Sequence, residues 1–122
     1  MRLLLDTGAF IRWHDGTLKS TVSRTVQQAS VVCVSAVTAW EISTKAALGK
    51  LRFIRSVEDV VADYGFVGLP VTMRHGDRVG HLPLHHGDPF DRMLIAQAIE
   101  EGLTILTSDR AFESYQVAIE WA

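Results

Sequence analysis

Short apolar runs alternate along the chain with longer stretches whose apolar positions recur at three- and four-residue spacing. "RLLLD" (2–6), "VVCVS" (31–35), "VGLPV" (67–71), "LTILT" (103–107) and "VAIEW" (117–121) read as five short strands. Between them the pattern predicts helices. One runs from Ser20 to Ala29. Ser35 can cap a second that continues to about Leu48, where Gly49 stops it. Ser56, with Asp59 three residues on, resembles a capping box opening a helix toward Tyr64. Thr72 can cap another toward His81. Asp88 precedes Pro89 at a first helical position, and Gly102 ends the strong helix that follows. "DRAFESY" (109–115) is a short helix. This alternation predicts an α/β fold with a central, mostly parallel sheet of four to five strands and helices on both faces. No internal repeat, low-complexity tract or linker interrupts it, so residues 1–122 read as one domain.

In such sheets, sites form beyond the carboxyl ends of the strands. Asp6 ends the first strand, and Asp109 follows "LTILT" by one residue. Glu41 lies in the second turn of the helix leaving "VVCVS", and Asp91 in the first turn of the helix that feeds "LTILT". The apolar stripe Val37, Trp40, Thr44, Ala47, Leu48 and Leu51 would place Glu41 on an inward face; Leu94, Ile95 and Ala98 do the same for Asp91. An inward carboxylate is costly unless paired or bound to metal.

Each acid also has a local alternative. Asp6 and Asp109 can cap the turns that follow them. Glu41 can pair with Lys45, a contact contributing about 0.3–0.5 kcal/mol, and Asp91 suits the positive end of a helix dipole. Asp88 reads as a cap. If several acids converge, their mutual repulsion calls for a cation, and an all-oxygen ligand set suits Mg²⁺ or Mn²⁺ better than zinc. His81, His85 and His86 have no zinc-site spacing and read as loop residues that can lie near substrate, without a metal role.

Bulk composition refines this picture. With 48% hydrophobic residues, a 122-residue chain can bury a core without covalent staples. The single cysteine, Cys33, lies in an apolar run and reads as a buried small residue in a reducing compartment. The N-terminal apolar run is too short for a signal peptide or a spanning helix, so a cytoplasmic protein with no membrane association is expected. The net charge of −2 does not announce a nucleic-acid binder. Lys45, Lys50, Arg52 and Arg55 read as a solvated helix end and loop.

Four segments together resemble one family: "LLLDTGAF" (3–10), "VSAVTAWEISTKAALGKL" (34–51), "HHGDPFDRMLIAQA" (85–98) and "ILTSDRAF" (105–112). The chain resembles PIN-domain ribonucleases, and among them the VapC toxins of VapBC toxin–antitoxin pairs, over nearly its whole length. The resemblance implies a PIN-like three-layer α/β/α domain. It maps Asp6, Glu41, Asp91 and Asp109 onto the family's acidic metal-binding quartet, with Mg²⁺ as cofactor and Mn²⁺ as substitute. This chain has Gly8 where the family's first segment usually has His, and Asp88 matches "DPFDR" in a structural role.

The implied activity is metal-dependent hydrolysis of RNA phosphodiester bonds, leaving a 5′-phosphate and a 3′-hydroxyl. Lys45 and Arg92 are candidates for phosphate contact. Thr107 and Ser108 are candidates for binding a ligand or orienting Asp109. Two bound divalent ions would turn a net charge of −2 into +2, attractive to phosphates. The resemblance also implies a cognate antitoxin that blocks the acidic pocket, and a homodimer. Trp13, Phe53, Ile54 and Phe66 lend these partners modest support. Three alternatives stay open: a PIN nuclease of housekeeping RNA processing, a metal-binding α/β regulatory domain, and a non-catalytic interaction module.

Overall fold

A computed structural model describes residues 1–122. Three consecutive leucines form the heart of its middle strand, β1 (Arg2–Leu5), and the two-residue alternation of a strand sends them to opposite faces. β1 pairs in parallel with β2 (Val31–Ser35) on one side and β4 (Thr104–Thr107) on the other. β3 (Val67–Leu69) lies outside β2 and β5 (Ile119–Trp121) outside β4, giving a wholly parallel five-stranded sheet of order β3-β2-β1-β4-β5.

One core takes Leu3, Leu5, Val32, Val34 and Leu106 from the sheet. They meet Ala9 and Phe10 of α1 (Thr7–Asp15), Val22 and Val26 of α2 (Ser20–Gln28), and Val60 and Val61 of α4 (Val57–Asp63). The other core takes Leu4, Cys33 and Ile105, covered by Leu94, Ile95 and Ala98 of α6 (Pro89–Glu101) with Phe112 and Tyr115. α3 (Ala36–Ala47) gives Ile42 to the first core and Val37 to the second, and α5 (Met73–Gly80) packs on α6. The expected α/β class with helices on both faces is thus observed. Strands β2 and β3 extend from β1 in one direction while β4 and β5 extend in the other, so the order reverses between β1 and β4, where such sheets open a crevice.

The caps read from the sequence are present. Ser35, Ser56 and Thr72 accept hydrogen bonds from the backbone N–H groups of Val37, Asp59 and His75. Asp88 accepts from Asp91 N at 3.0 Å, and Gly102 takes the left-handed φ of 66° that closes α6. Other expectations need correcting. The turn after Asp6 is the start of a full helix, α1, which Asp6 caps. The last strand covers only the final three residues of "VAIEW", and β3 ends before Pro70, which has no N–H for a ladder. "DRAFESY" is the short helix expected, of 3-10 type and confined to Arg110–Ser114. The buried face of α3 is Val37, Thr38, Glu41 and Ile42, whereas Trp40 and Leu48 are exposed. Glu41 points inward, but through a different stripe: Trp40 instead packs edge-to-face on Phe90 at 4.6 Å, tying α3 to the start of α6.

A chain of polar groups crosses the second core. Ser35 Oγ donates to Gln97 Oε1 at 2.5 Å, and Gln97 Nε2 donates to Pro70 O at 3.2 Å. Gln97 Nε2 also lies 3.4 Å from His75 Nδ1, which accepts from Thr72 N. With Nδ1 accepting, the proton of His75 sits on Nε2, facing Glu101 Oε2 at 3.1 Å. Gln97 and His75 are both essentially inaccessible to solvent. Cys33 is buried and unbridged, and burial raises its thiol pKa. No helix is long and apolar enough to cross a membrane.

Replacing Gln97 by Leu keeps the volume roughly constant but strands the Ser35 hydroxyl and the Pro70 carbonyl. The expected cost is about 1–3 kcal/mol of unfolding free energy. Urea titration followed by circular dichroism checks it; an unshifted midpoint would show that the polar chain contributes nothing.

Candidate metal centre

Because β1 and β4 run parallel in register, Asp6 and Asp109 leave the same edge of the sheet side by side. Asp6 is buried. Its Oδ1 accepts from Ala9 N at 2.8 Å, capping α1, and its Oδ2 accepts from Thr107 Oγ1 at 2.5 Å. The same threonine oxygen accepts from Asp109 N at 3.0 Å. Asp109 Oδ1 accepts from Ala111 N at 2.9 Å, capping the 3-10 turn, while its Oδ2 faces His86 Nε2 at 3.7 Å. His86 Nε2 lies 2.9 Å from Asp91 Oδ2. Donor atoms of His86, Asp91 and Asp109 all fall within 4.8 Å of one another.

Glu41 is also buried, and its Oε2 accepts from Lys45 Nζ at 2.6 Å. Its Oε1 is buried with no partner. Every local role foreseen for the acids is therefore filled: two caps, one ion pair and a place in a first helical turn. Those roles leave unused the Glu41 Oε1 oxygen and the side of Asp109 that faces His86.

Asp6 and Glu41 lie outside the tight group of three, but both are tied to it. Asp6 hangs from the hydroxyl that holds the Asp109 backbone, and the two carboxylates feel each other's charge. The negative charge of Glu41 bears on Asp91. Burial pushes the Asp6 carboxyl above its ordinary range, against the Thr107 and Ala9 hydrogen bonds and the Arg12 charge. Burial likewise raises Asp91 to about 6, opposed by the His86 hydrogen bond and reinforced by Asp88 and Glu41. The Lys45 ammonium is held protonated chiefly by its hydrogen bond to Glu41.

Carboxylates whose charge is penalised, beside an imidazole and an orphaned buried oxygen, make a donor set that fits a divalent cation with oxygen-rich coordination. Such an ion would relieve both the repulsion and the unsatisfied Oε1.

The remaining sequence candidates divide. Thr107 orients Asp6 and Asp109, and its complete burial excludes ligand contact. Ser108 Oγ is exposed and accepts from Arg12 Nη2 at 3.1 Å. Lys45 is half-exposed beside Glu41. Arg92 is a correction: its guanidinium donates to the carbonyls of Val79, Leu82 and Pro83 and to Tyr115 Oη, so it pins the 79–83 segment instead of offering itself to phosphate.

His86, read from the sequence as a loop residue, was missed. Tyr115 Oη accepts from His86 N at 2.9 Å and holds the residue in place across 29 positions of sequence. No spacing rule reports such a tertiary approach. Its location five residues before Asp91, ahead of the capped helix, was the only available signal.

The PIN domain family model matches residues 3–118. Among solved structures, the DNA-bound VapBC of Salmonella typhimurium is 19% identical, with 99% of this chain and 98% of that chain covered and a TM-score of 0.72. VapBC2 of Rickettsia felis, bound to a promoter DNA fragment, is 14% identical over 100% and 99% of the two chains, with a TM-score of 0.75. VapBC-1 of nontypeable Haemophilus influenzae is 17% identical over 100% and 97%, with a TM-score of 0.63. At these identities the likeness shows a shared fold. No curated protein sequence matches the chain.

The Asp91 carboxyl binds its proton more tightly folded, at about 6, than at the ordinary 3.8 of an unfolded chain. Unfolding therefore releases a proton between those values, and this group's contribution to stability falls as pH rises through that window. In EDTA, the melting temperature of the wild type relative to Asp91→Asn is expected to increase as pH is lowered from about 7 to about 5. Parallel melting curves for the two proteins across that range would contradict the raised carboxyl.

Proposed function

The chain belongs to the PIN-domain family, and on that footing we propose that it is a divalent-metal-dependent ribonuclease acting as the toxin of a type II toxin–antitoxin pair. The observation that carries the nuclease reading is the buried, partnerless Glu41 Oε1 near the His86–Asp91–Asp109 group. An oxygen left without a hydrogen-bond donor inside an acidic site suits a cation, and fold stability gives no reason to keep it.

Asp6, Glu41, Asp91 and Asp109, joined by His86, would hold Mg²⁺ or Mn²⁺. When bound, such an ion supplies an activated water nucleophile and offsets charge on the phosphate and leaving oxygen. The chain's own residues do the rest. Thr107 holds the Asp6 carboxylate and the Asp109 backbone in fixed relation. Tyr115 and the Asp88 cap set His86 and Asp91 at the mouth of α6. Lys45 offsets part of the negative charge and keeps one Glu41 oxygen in place. The product expected from such an attack is a 5′-phosphate with a 3′-hydroxyl.

The toxin reading is supported by the likeness of this fold to the solved VapBC assemblies. It carries with it an antitoxin partner, a homodimer and a cytoplasmic setting. The aromatic residues cited for such partners serve the core instead: Trp13 packs on Phe66 and Phe53 stacks on Phe10, leaving only Ile54 strongly exposed. A better support is a largely apolar groove of about 580 Å³ between α3, α4 and β3, lined by Val34, Ala39, Val57, Val61 and Leu69 among others. Its volume suits apolar side chains of a partner segment. A housekeeping RNA-processing nuclease would use the same acids and differ in lacking an antitoxin.

Three measurements check this reading. Structured RNAs should be cleaved with Mg²⁺ or Mn²⁺, not in EDTA, and Asp6→Asn or Asp91→Asn should lower the rate by at least about 100-fold; equal cleavage by all three proteins would refute it. Millimolar Mn²⁺ should raise the melting temperature, with Asp91→Asn shrinking the rise, and an indifferent wild type would count against a formed site. Light scattering alone and after co-expression with the neighbouring gene product tests the partners; a monomer that ignores that product argues for the housekeeping alternative.

A further inference from the structure

The nuclease reading assigns the substrate's phosphate no cationic side chain. Lys45 is engaged by Glu41, and Arg92 is turned toward backbone carbonyls. Arg110 lies over the Trp121 ring, its guanidinium carbon 4.1 Å from the ring centre. Arg12 is different. It stands on α1 and reaches back over the first turn of its own helix, where Nη2 donates to Ser108 Oγ at 3.1 Å, across the sheet edge from α1.

Its guanidinium lies alongside Gly8. A β-carbon at that position would sit 3.5 Å from Arg12 Nη1 and 3.7 Å from Asp6 Oδ1. The guanidinium and the Asp6 carboxylate therefore border the same small volume, and the Arg12 charge eases ionisation of Asp6. Any longer side chain at position 8, including the ring that the family pattern carries there, would compete for that volume.

We propose that Arg12, seated beside Gly8, is the phosphate-binding residue of this site and grips the RNA backbone beside Asp6. The assignment rests on the nuclease reading. Its chemistry is that of a planar cation: Nη2 is anchored on Ser108, a neutral hydroxyl, while Nη1 keeps both of its N–H donors for a phosphate oxygen. The Ser108 contact orients the group without neutralising it. Arg12 is thus a binding and positioning residue, selective for a phosphate next to the acids and indifferent to the base.

The test uses the intact protein and four substitutions: Arg12→Ala, Arg12→Lys, Gly8→Leu and Gly8→Ala. Cleavage is measured in Mn²⁺. In parallel, binding of a fluorescein-labelled single-stranded RNA of about 20 nucleotides is measured in EDTA over a range of salt. Arg12→Ala should raise KM about 10- to 100-fold while kcat changes by less than about threefold. It should also flatten the plot of log affinity against log salt by about 0.7, the share of one phosphate contact.

Arg12→Lys should restore the salt slope but only part of KM. Gly8→Leu should mimic Arg12→Ala, whereas Gly8→Ala, whose methyl fits at ordinary contact distance, should behave as wild type. A merely structural Arg12 would leave KM and the salt slope unmoved. A wild type that cleaves, with Arg12→Ala matching it in KM and slope, overturns the proposal and leaves the nuclease reading intact; so does a loss confined to kcat. A wild type that binds RNA through Arg12 yet never cleaves overturns the nuclease reading alone. A wild type that neither binds nor cleaves overturns both.

Discussion

Thr107 ends β4 beside the end of β1, and its hydroxyl performs two tasks at once. It donates to Asp6 Oδ2 and accepts from the Asp109 amide. Without a donor there, burial of Asp6 would leave half of a carboxylate unsatisfied, and a desolvated charge is among the most expensive objects a core can contain. The constraint comes from topology: only an order in which β1 and β4 are neighbours brings positions 6 and 107 together across 101 residues. Fold and site therefore share one device. The β1–β4 pairing that makes the sheet continuous also places two acids at the point where the strand order reverses.

Much of this was legible in the sequence because it is local. Asp88 ahead of Pro89, Gly102 after "AIEE", and Ser35 after an apolar run are short-range signals whose physics stays within one turn of helix. The five strands were visible as apolar runs, and the positions of Asp6 and Asp109 at their ends followed from the register of a parallel sheet. The inward aim of Glu41 was read from the wrong stripe. Trp40 and Leu48 look like core residues by type, but α3 buries a narrow face made of Val37, Thr38, Glu41 and Ile42 and leaves those two exposed.

What escaped the reading is what tertiary approach alone decides. His86 belongs with the acids because Tyr115 holds its backbone. Arg92 looks like a phosphate ligand because it follows Asp91, yet an adjacent residue on a helix points elsewhere, here toward carbonyls at the end of α5 and in the loop after it. Arg12 is the sixth residue of a helix that the alternation of strands and helices barely announces. The pair Thr7 and Thr38, whose hydroxyls meet at 3.1 Å between α1 and α3, is equally silent in one dimension. Local roles and site geometry also coexist: an aspartate that caps a helix with one oxygen still has a second oxygen to present, so a good capping explanation never excluded a functional one.

The polar thread from Ser35 through Gln97 to His75 has a bearing on α6 that its aliphatic neighbours lack. Leucine and isoleucine contacts degrade gradually when a helix shifts along its axis, since one methyl group substitutes tolerably for another. An amide flanked by one acceptor-seeking hydroxyl and one carbonyl admits no such substitution: displacement by a single residue would orphan both. α6 is thereby indexed against the sheet, and the carboxylate at its opening turn inherits a fixed address from a side chain six residues downstream.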